Sequence, residues 1–134
     1  MSVAVITGAG GLIGSASATR FAGLGLDIVG VDNDMRRVFF GDDASTAPNL
    51  TTLASSLGNQ FSHVNADIRD ADAMAALFKL YGRDIALVVH TAAQPSHDWA
   101  AREPLTDFTI NAVATVQLLE LTLNHCPDAP FIFC

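Results

Sequence analysis

Gly8, Gly11 and Gly14 recur at three-residue intervals between an apolar run and an amphipathic one. The run before them, Val3-Ala4-Val5-Ile6, reads as a buried parallel strand that stops at Thr7. A helical pattern opens near Leu12. Glycines at such a junction let the chain reverse sharply, let main-chain N–H groups approach a pyrophosphate, and let the helix pack close to the strand. The helix start adds unpaired amides and the positive end of its dipole. Gly8, Gly11, Leu12, Ile13 and Gly14 are therefore candidate phosphate-binding residues. A pattern built on Gly8 and Gly10 would need a third glycine where Ile13 stands, so Gly10 lies outside the register.

Asp32 closes a second apolar run, Asp27-Ile28-Val29-Gly30-Val31, eighteen residues beyond Gly14. A carboxylate at that distance suits the 2′- and 3′-hydroxyls of an adenosine ribose, which points to NAD as the cofactor. A 2′-phosphate would meet like charge from Asp32 and Asp34. Asn33 shares this turn, while Arg36 and Arg37 pull the other way, because a guanidinium pairs with phosphate.

Asp67 and Ile68 follow a third apolar segment, where an adenine would lie. Asp67 can accept from the exocyclic amine, or Asp67 or Asp70 can cap the next helix; both readings stand. Ala92 and Ala93 follow the fourth segment and leave space for the nicotinamide half, with Gln94 completing the cofactor set. Ser96 and His97 are expected in the same loop, facing a substrate. Ser96-His97-Asp98 is not a hydrolase triad, since adjacent residues cannot converge as a triad requires. His63, His90, His97 and His125 lack metal-ligand spacing. The sequence thus offers no metal site and no catalytic group.

The elements that must position these residues alternate strictly. Helices are expected over 12–25, from 49 or 51 to 57, over 71–80 and over 105–125. Strands are expected over 27–31, 61–66, 85–89 and from 131, and long loops over 33–48 and 90–104. On the last helix Leu105, Phe108, Ala112, Val113, Val116 and Leu119 form the expected core stripe. Ile110, Ala114, Leu118 and Leu121 extend the apolar surface around it, suggesting a subunit contact. Asn111 needs a partner if buried. Such alternation implies one α/β domain over 1–134, a doubly wound parallel sheet in three αβα layers with ligands at the strands' carboxyl ends.

Half of the 134 residues are apolar, yet no run approaches a membrane span, and the start shows no signal-peptide pattern. The net charge of −7 and scattered arginines disfavour nucleic acid as a partner. Cys126 and Cys134 form no disulfide framework, and a cytoplasmic location is expected.

Thr7-Gly8 to Gly14, Val31-Asp32-Asn33-Asp34, Asp67-Ile68-Arg69, His90-Thr91-Ala92-Ala93-Gln94 and Asn111-Ala112-Val113 together resemble the extended short-chain dehydrogenase/reductase family, in its nucleotide-sugar epimerase/dehydratase branch. Asp32 to Arg36 and Gln94 to Ala100 resemble CDP-paratose/CDP-tyvelose 2-epimerase-like members in particular. The resemblance implies a Rossmann-like fold and a tightly held NAD that takes a hydride from a sugar carbon and returns it to the opposite face. It also implies a Tyr-x-x-x-Lys pair as acid/base and a Ser or Thr after the fifth strand. Here Tyr81 is followed four positions on by Ile85, Lys79 precedes it, and the sequence stops at Cys134 in the fifth strand. The expectation is the N-terminal, dinucleotide-binding portion of an epimerase-like protein, inactive alone and prone to self-association through uncovered apolar surface. A catalytically silent dinucleotide sensor and a purely structural fragment with an empty cleft are the alternatives.

Overall fold

The computed structural model describes residues 1–134. Five parallel strands, β1 (Val3–Thr7), β2 (Asp27–Val31), β3 (Phe61–Val64), β4 (Ile85–His90) and β5 (Phe131–Phe133), lie in the order β3-β2-β1-β4-β5. The chain winds from β1 outward to β3, then returns to place β4 on the free side of β1. The order therefore reverses between β1 and β4, and a crevice opens at their carboxyl ends.

The β1 side chains alternate between two cores, as a strand buried on both faces must. Ala4 and Ile6 join Ala18, Ala22, Ile28, Leu50 and Leu53 beneath α1 (Leu12–Ala22) and α3 (Ala47–Leu57). Val3 and Val5 join Met74, Phe78, Ile110, Ala114 and Leu118 beneath α4 (Ala71–Tyr81) and the last helix. That makes three layers, as the alternation implied.

Both expected loops contain helix. Residues 33–48 contain α2 (Arg36–Phe40), a 3₁₀ turn (Asp42–Ala44) and the start of α3. Pro48 does not mark a loop; it sits in the first turn of α3, where its missing N–H costs nothing. Residues 90–104 contain α5 (His97–Arg102), whose first turn is capped by Ser96 accepting from the Trp99 amide. Phe39 of α2 and Trp99 of α5 meet edge to face at 5.4 Å.

The long helix is continuous but changes pitch. It runs as α6 (Pro104–Phe108), a π turn (Thr109–Val113) and α7 (Ala114–His125). Its buried face is Ile110, Ala114, Leu118 and Thr122, while Leu105 is 76% and Leu119 45% exposed, and Phe108 and Val116 also face solvent. The expected core stripe is thus the outer one. The stripe is on the outer face both ahead of the π turn, at Leu105 and Phe108, and beyond it, at Val116 and Leu119; with apolar residues on both faces of the helix, periodicity alone does not choose the buried one.

Candidate functional site

The glycine turn closes on itself before any ligand is considered. Gly8 adopts φ +69°, and its amide donates to the Val31 carbonyl at 2.8 Å, tying β1 to the end of β2. A Cβ at Gly8 would lie 2.8 Å from the Ala92 amide nitrogen, so the close approach of β4's exit also requires glycine. At Gly14 a Cβ would overlap the Gly8 carbonyl oxygen, which lets α1 sit directly against the turn. Gly11 differs: its nearest obstacle is the Gly8 oxygen at 3.2 Å, and its open side is the crevice itself. The amides of Leu12, Ile13 and Gly14 have no acceptor within the chain. These donors, at the positive end of an eleven-residue helix, are what a phosphate requires.

The crevice encloses about 360 Å³. Gly8, Gly11, Leu12 and Ile13 line one side. Asp32, Asn33 and Arg36 stand at the end of β2, Asp67 and Ile68 after β3, and Ala92 and Ala93 after β4. Eleven expected residues from four strand exits therefore share one cavity. Gly14 lies behind the wall and shapes it by packing.

Asp32 is held from three sides. Its Oδ2 accepts from the Gly10 amide at 2.9 Å, and its Oδ1 accepts from the Asp34 amide at 2.8 Å and the Thr46 hydroxyl at 2.9 Å. Asn49 donates to the Gly10 carbonyl at 2.7 Å, so α3 grips the turn from above. Asp34, at φ +57°, accepts from the Thr46 amide and the Ser45 hydroxyl. Burial opposes its charge, but these hydrogen bonds and nearby Arg37 outweigh it and hold the carboxyl below its usual range. Arg37 is 3.9 Å from both Asp34 and Asp42, while Arg36 lies over the Phe40 ring.

The choice at the third strand resolves into two roles. Asp70 caps α4, accepting from the Ala73 amide at 3.0 Å. Asp67 lines the crevice, but Arg69 grips both of its oxygens, the shortest contact being 2.6 Å. Burial again works against the charge, and the Arg69 hydrogen bonds and charge lower the carboxyl all the same. Little acceptor capacity is left on Asp67 for a further donor, and Ile68 beside it presents an apolar stretch of wall.

Around β4 the structure departs from expectation. Gln94 does not face the crevice. It is buried, with its amide donating to the Asp107 carboxylate and the Ser96 carbonyl, while its backbone exchanges two hydrogen bonds with the Asn111 side chain. Asn111 thereby finds the partner it needed. Ser96 is committed to capping α5, and His97 is exposed outside the crevice. Gln94 and Ser96 thus satisfy polar groups of the chain itself.

His90, only 1% exposed, anchors the same region. The Ala92 amide donates to the Thr7 hydroxyl, which donates to His90 Nδ1 at 2.6 Å. Thr115 spends its proton on the Asn111 carbonyl, so His90 Nε2–H donates to Thr115 at 2.9 Å. Burial pushes the imidazole down to about 4, so it stands neutral at physiological pH. The chain of bonds links β1, β4 and the π turn. Tyr81 and Lys79 lie at the far end of α4, outside the crevice. No cluster of His, Cys, Asp or Glu is arranged to hold a metal, and no helix is long and apolar enough to cross a membrane.

Thr46, Met35, Phe39 and Thr91 also line the wall, and sequence reasoning does not reach them. Thr46-Ala47-Pro48-Asn49, a polar residue ahead of an early proline, was the available signal for a helix start beside Asp32.

Comparison with known proteins agrees with this geometry. Residues 4–134 match the family model described as the NAD dependent epimerase/dehydratase family. A UDP-glucose 4-epimerase of Mycolicibacterium smegmatis is 34% identical over 87% of this chain and 33% of its own length. A CDP-paratose 2-epimerase of Salmonella typhi is 32% identical over 96% of this chain and 35% of its own. The chain thus spans about a third of the length of the curated relatives it matches. Among solved structures, the UDP-Glc/GlcNAc 4-epimerase of Campylobacter jejuni superposes with a TM-score of 0.78 at 26% identity, covering 99% of this chain and 36% of that one. The Stenotrophomonas maltophila UDP-glucose-4-epimerase, solved with bound NAD and formylated UDP-arabinopyranose, gives 0.76 at 29% identity over the same shares.

Proposed function

The chain belongs to the NAD dependent epimerase/dehydratase family, and from that premise we propose that it binds NAD in the crevice between β1, β2 and β4. The observation that carries this reading is the unpaired first turn of α1, set across the crevice from the Asp32 carboxylate. In this arrangement the Leu12, Ile13 and Gly14 amides hold the pyrophosphate and Gly11 gives it room. The second lone pair of Asp32 Oδ2 takes a ribose hydroxyl, and Ile68 flanks the adenine. Ala92 and Ala93 leave room for the nicotinamide, which supplies hydride acceptance when bound. The Asp32→Ala variant tests the ribose contact. Its NAD affinity, by calorimetric titration, should fall at least roughly tenfold, the effect of losing a hydrogen bond to a charged group. Unchanged affinity would remove Asp32 from the site.

The larger reaction we assign is epimerisation of a nucleotide sugar, with a CDP-sugar as the finer choice. The likeness of 94–100 to CDP-sugar 2-epimerases and the Salmonella relative support it. This chain alone is expected to bind without turning over sugar, because no Tyr-x-x-x-Lys pair is present to move the hydroxyl proton. Incubation with NAD and either a CDP- or a UDP-sugar should leave the sugar unchanged; isomerisation by the chain alone would refute this. A silent dinucleotide sensor is the second reading, favoured by the same missing pair. The exposed row of Leu105, Phe108, Val116 and Leu119 supports self-association, which sizing by light scattering checks.

A further inference from the structure

The entrance to α3 touches the proposed ribose site without belonging to any glycine or acidic motif. Thr46 is 5% exposed and lines the crevice. Its single hydroxyl lies 2.9 Å from Asp32 Oδ1 and 3.1 Å from Asp34 Oδ1, so one proton serves two carboxylates. Ser45 completes the hold on Asp34 from its other oxygen at 2.8 Å. The Thr46 amide shares in that hold, 2.6 Å from Asp34 Oδ1, and Arg37 lies 3.9 Å from Asp34 Oδ2. Two anions are thereby held side by side, Asp32 on the crevice wall and Asp34 behind it.

We infer that the Ser45–Thr46 hydroxyl pair is a specificity determinant, positioning the Asp34 carboxylate beside Asp32 so that the site takes a ribose diol and rejects a 2′-phosphate. The inference rests on the NAD reading above. A diol brings a donor for the remaining lone pair of Asp32 Oδ2. A phosphate dianion brings only charge, and it must overcome two carboxylates at short range rather than one. Arg37 is drawn to Asp34 and Asp42, while Arg36, over the Phe40 ring on the crevice wall, is the cation that the two carboxylates must outweigh.

The test is the ratio of NADP to NAD dissociation constants, measured by calorimetry on the 134-residue chain and its variants. Thr46→Val keeps the shape and removes the hydroxyl. The ratio should fall roughly tenfold, mostly through tighter NADP, while Thr46→Ser restores it. Ser45→Ala, at a less buried position, should lower it by roughly threefold and serves as the test if Thr46→Val does not fold by circular dichroism. A wild type that prefers NAD, with an unchanged ratio in the folded variants, overturns this inference and leaves the NAD reading standing. Equal weakening of both ligands overturns it in the same way, since it marks a merely structural residue. A wild type without preference overturns the NAD assignment and this inference together.

Discussion

The two ends of the crevice are built on opposite plans. At the β1–β2 end the chain leaves groups unsatisfied toward the opening: three helix amides without acceptors and a carboxylate with spare lone pairs. At the β4 end the buried polar side chains are bonded within the chain. Gln94 and Asn111 hold each other, Ser96 caps a helix, and His90 is bonded at both nitrogens. One end offers free amides and carboxylate lone pairs; the other presents small residues on a braced backbone. Polar residues in a crevice loop therefore say little about ligand contact until their own backbone partners are counted.

The contrast can be broken most forcefully from beneath the binding end. Gly14→Ala drives a methyl group into the Gly8 carbonyl, with Ala9 Cα only 2.9 Å away. The backbone must shift, at about 3 kcal/mol or more. A thermal melt should show the midpoint falling by roughly 10 °C; an unchanged melt would mean that the turn is looser than described.

His90→Phe probes the braced end and should cost about 1–3 kcal/mol, because the Thr7 and Thr115 hydroxyls lose their buried partner. Its pH signature is distinctive. The folded imidazole sits near 4, below the ordinary 6.5, so the unfolded chain binds the proton more readily. The stability that neutral His90 contributes is full above about pH 6.5 and drains as pH falls toward 4. Urea melts across that window should show the gap between wild type and variant narrowing with acid. A constant gap would place His90 outside the titration.

The smallest effect sharpens the contrast. His97→Ala should change NAD affinity by less than about twofold, since an exposed side chain outside the crevice has nothing to lose there. A larger change would return the loop after β4 to the recognition surface.

How much is legible in the sequence follows the same division. The glycine spacing and Asp32 can be read because each demands a residue type for a local reason: positive φ at Gly8, contact at Gly14, strand-end placement at Asp32. Gln94 and Ser96 are harder to read, because their side chains bond within the chain, Gln94 to Asp107 and Ser96 to the first turn of α5. Asn111 lies seventeen residues from Gln94, and the Trp99 amide that Ser96 caps exists as a donor only once α5 forms. The core face of the long helix is misread because both faces carry apolar residues, so spacing alone does not say which one meets the sheet. Thr46 hides in a segment whose composition suggests loop, although its neighbour Pro48 marks a helix start.

An amide NMR titration of the chain with NAD tests the central claim most directly. Saturable shifts should be largest at Leu12, Ile13, Gly14, Asp32, Asn33, Ile68, Ala92 and Ala93, and slight along 114–125. Shifts that never saturate, or that gather on the outer face of α7, would contradict it.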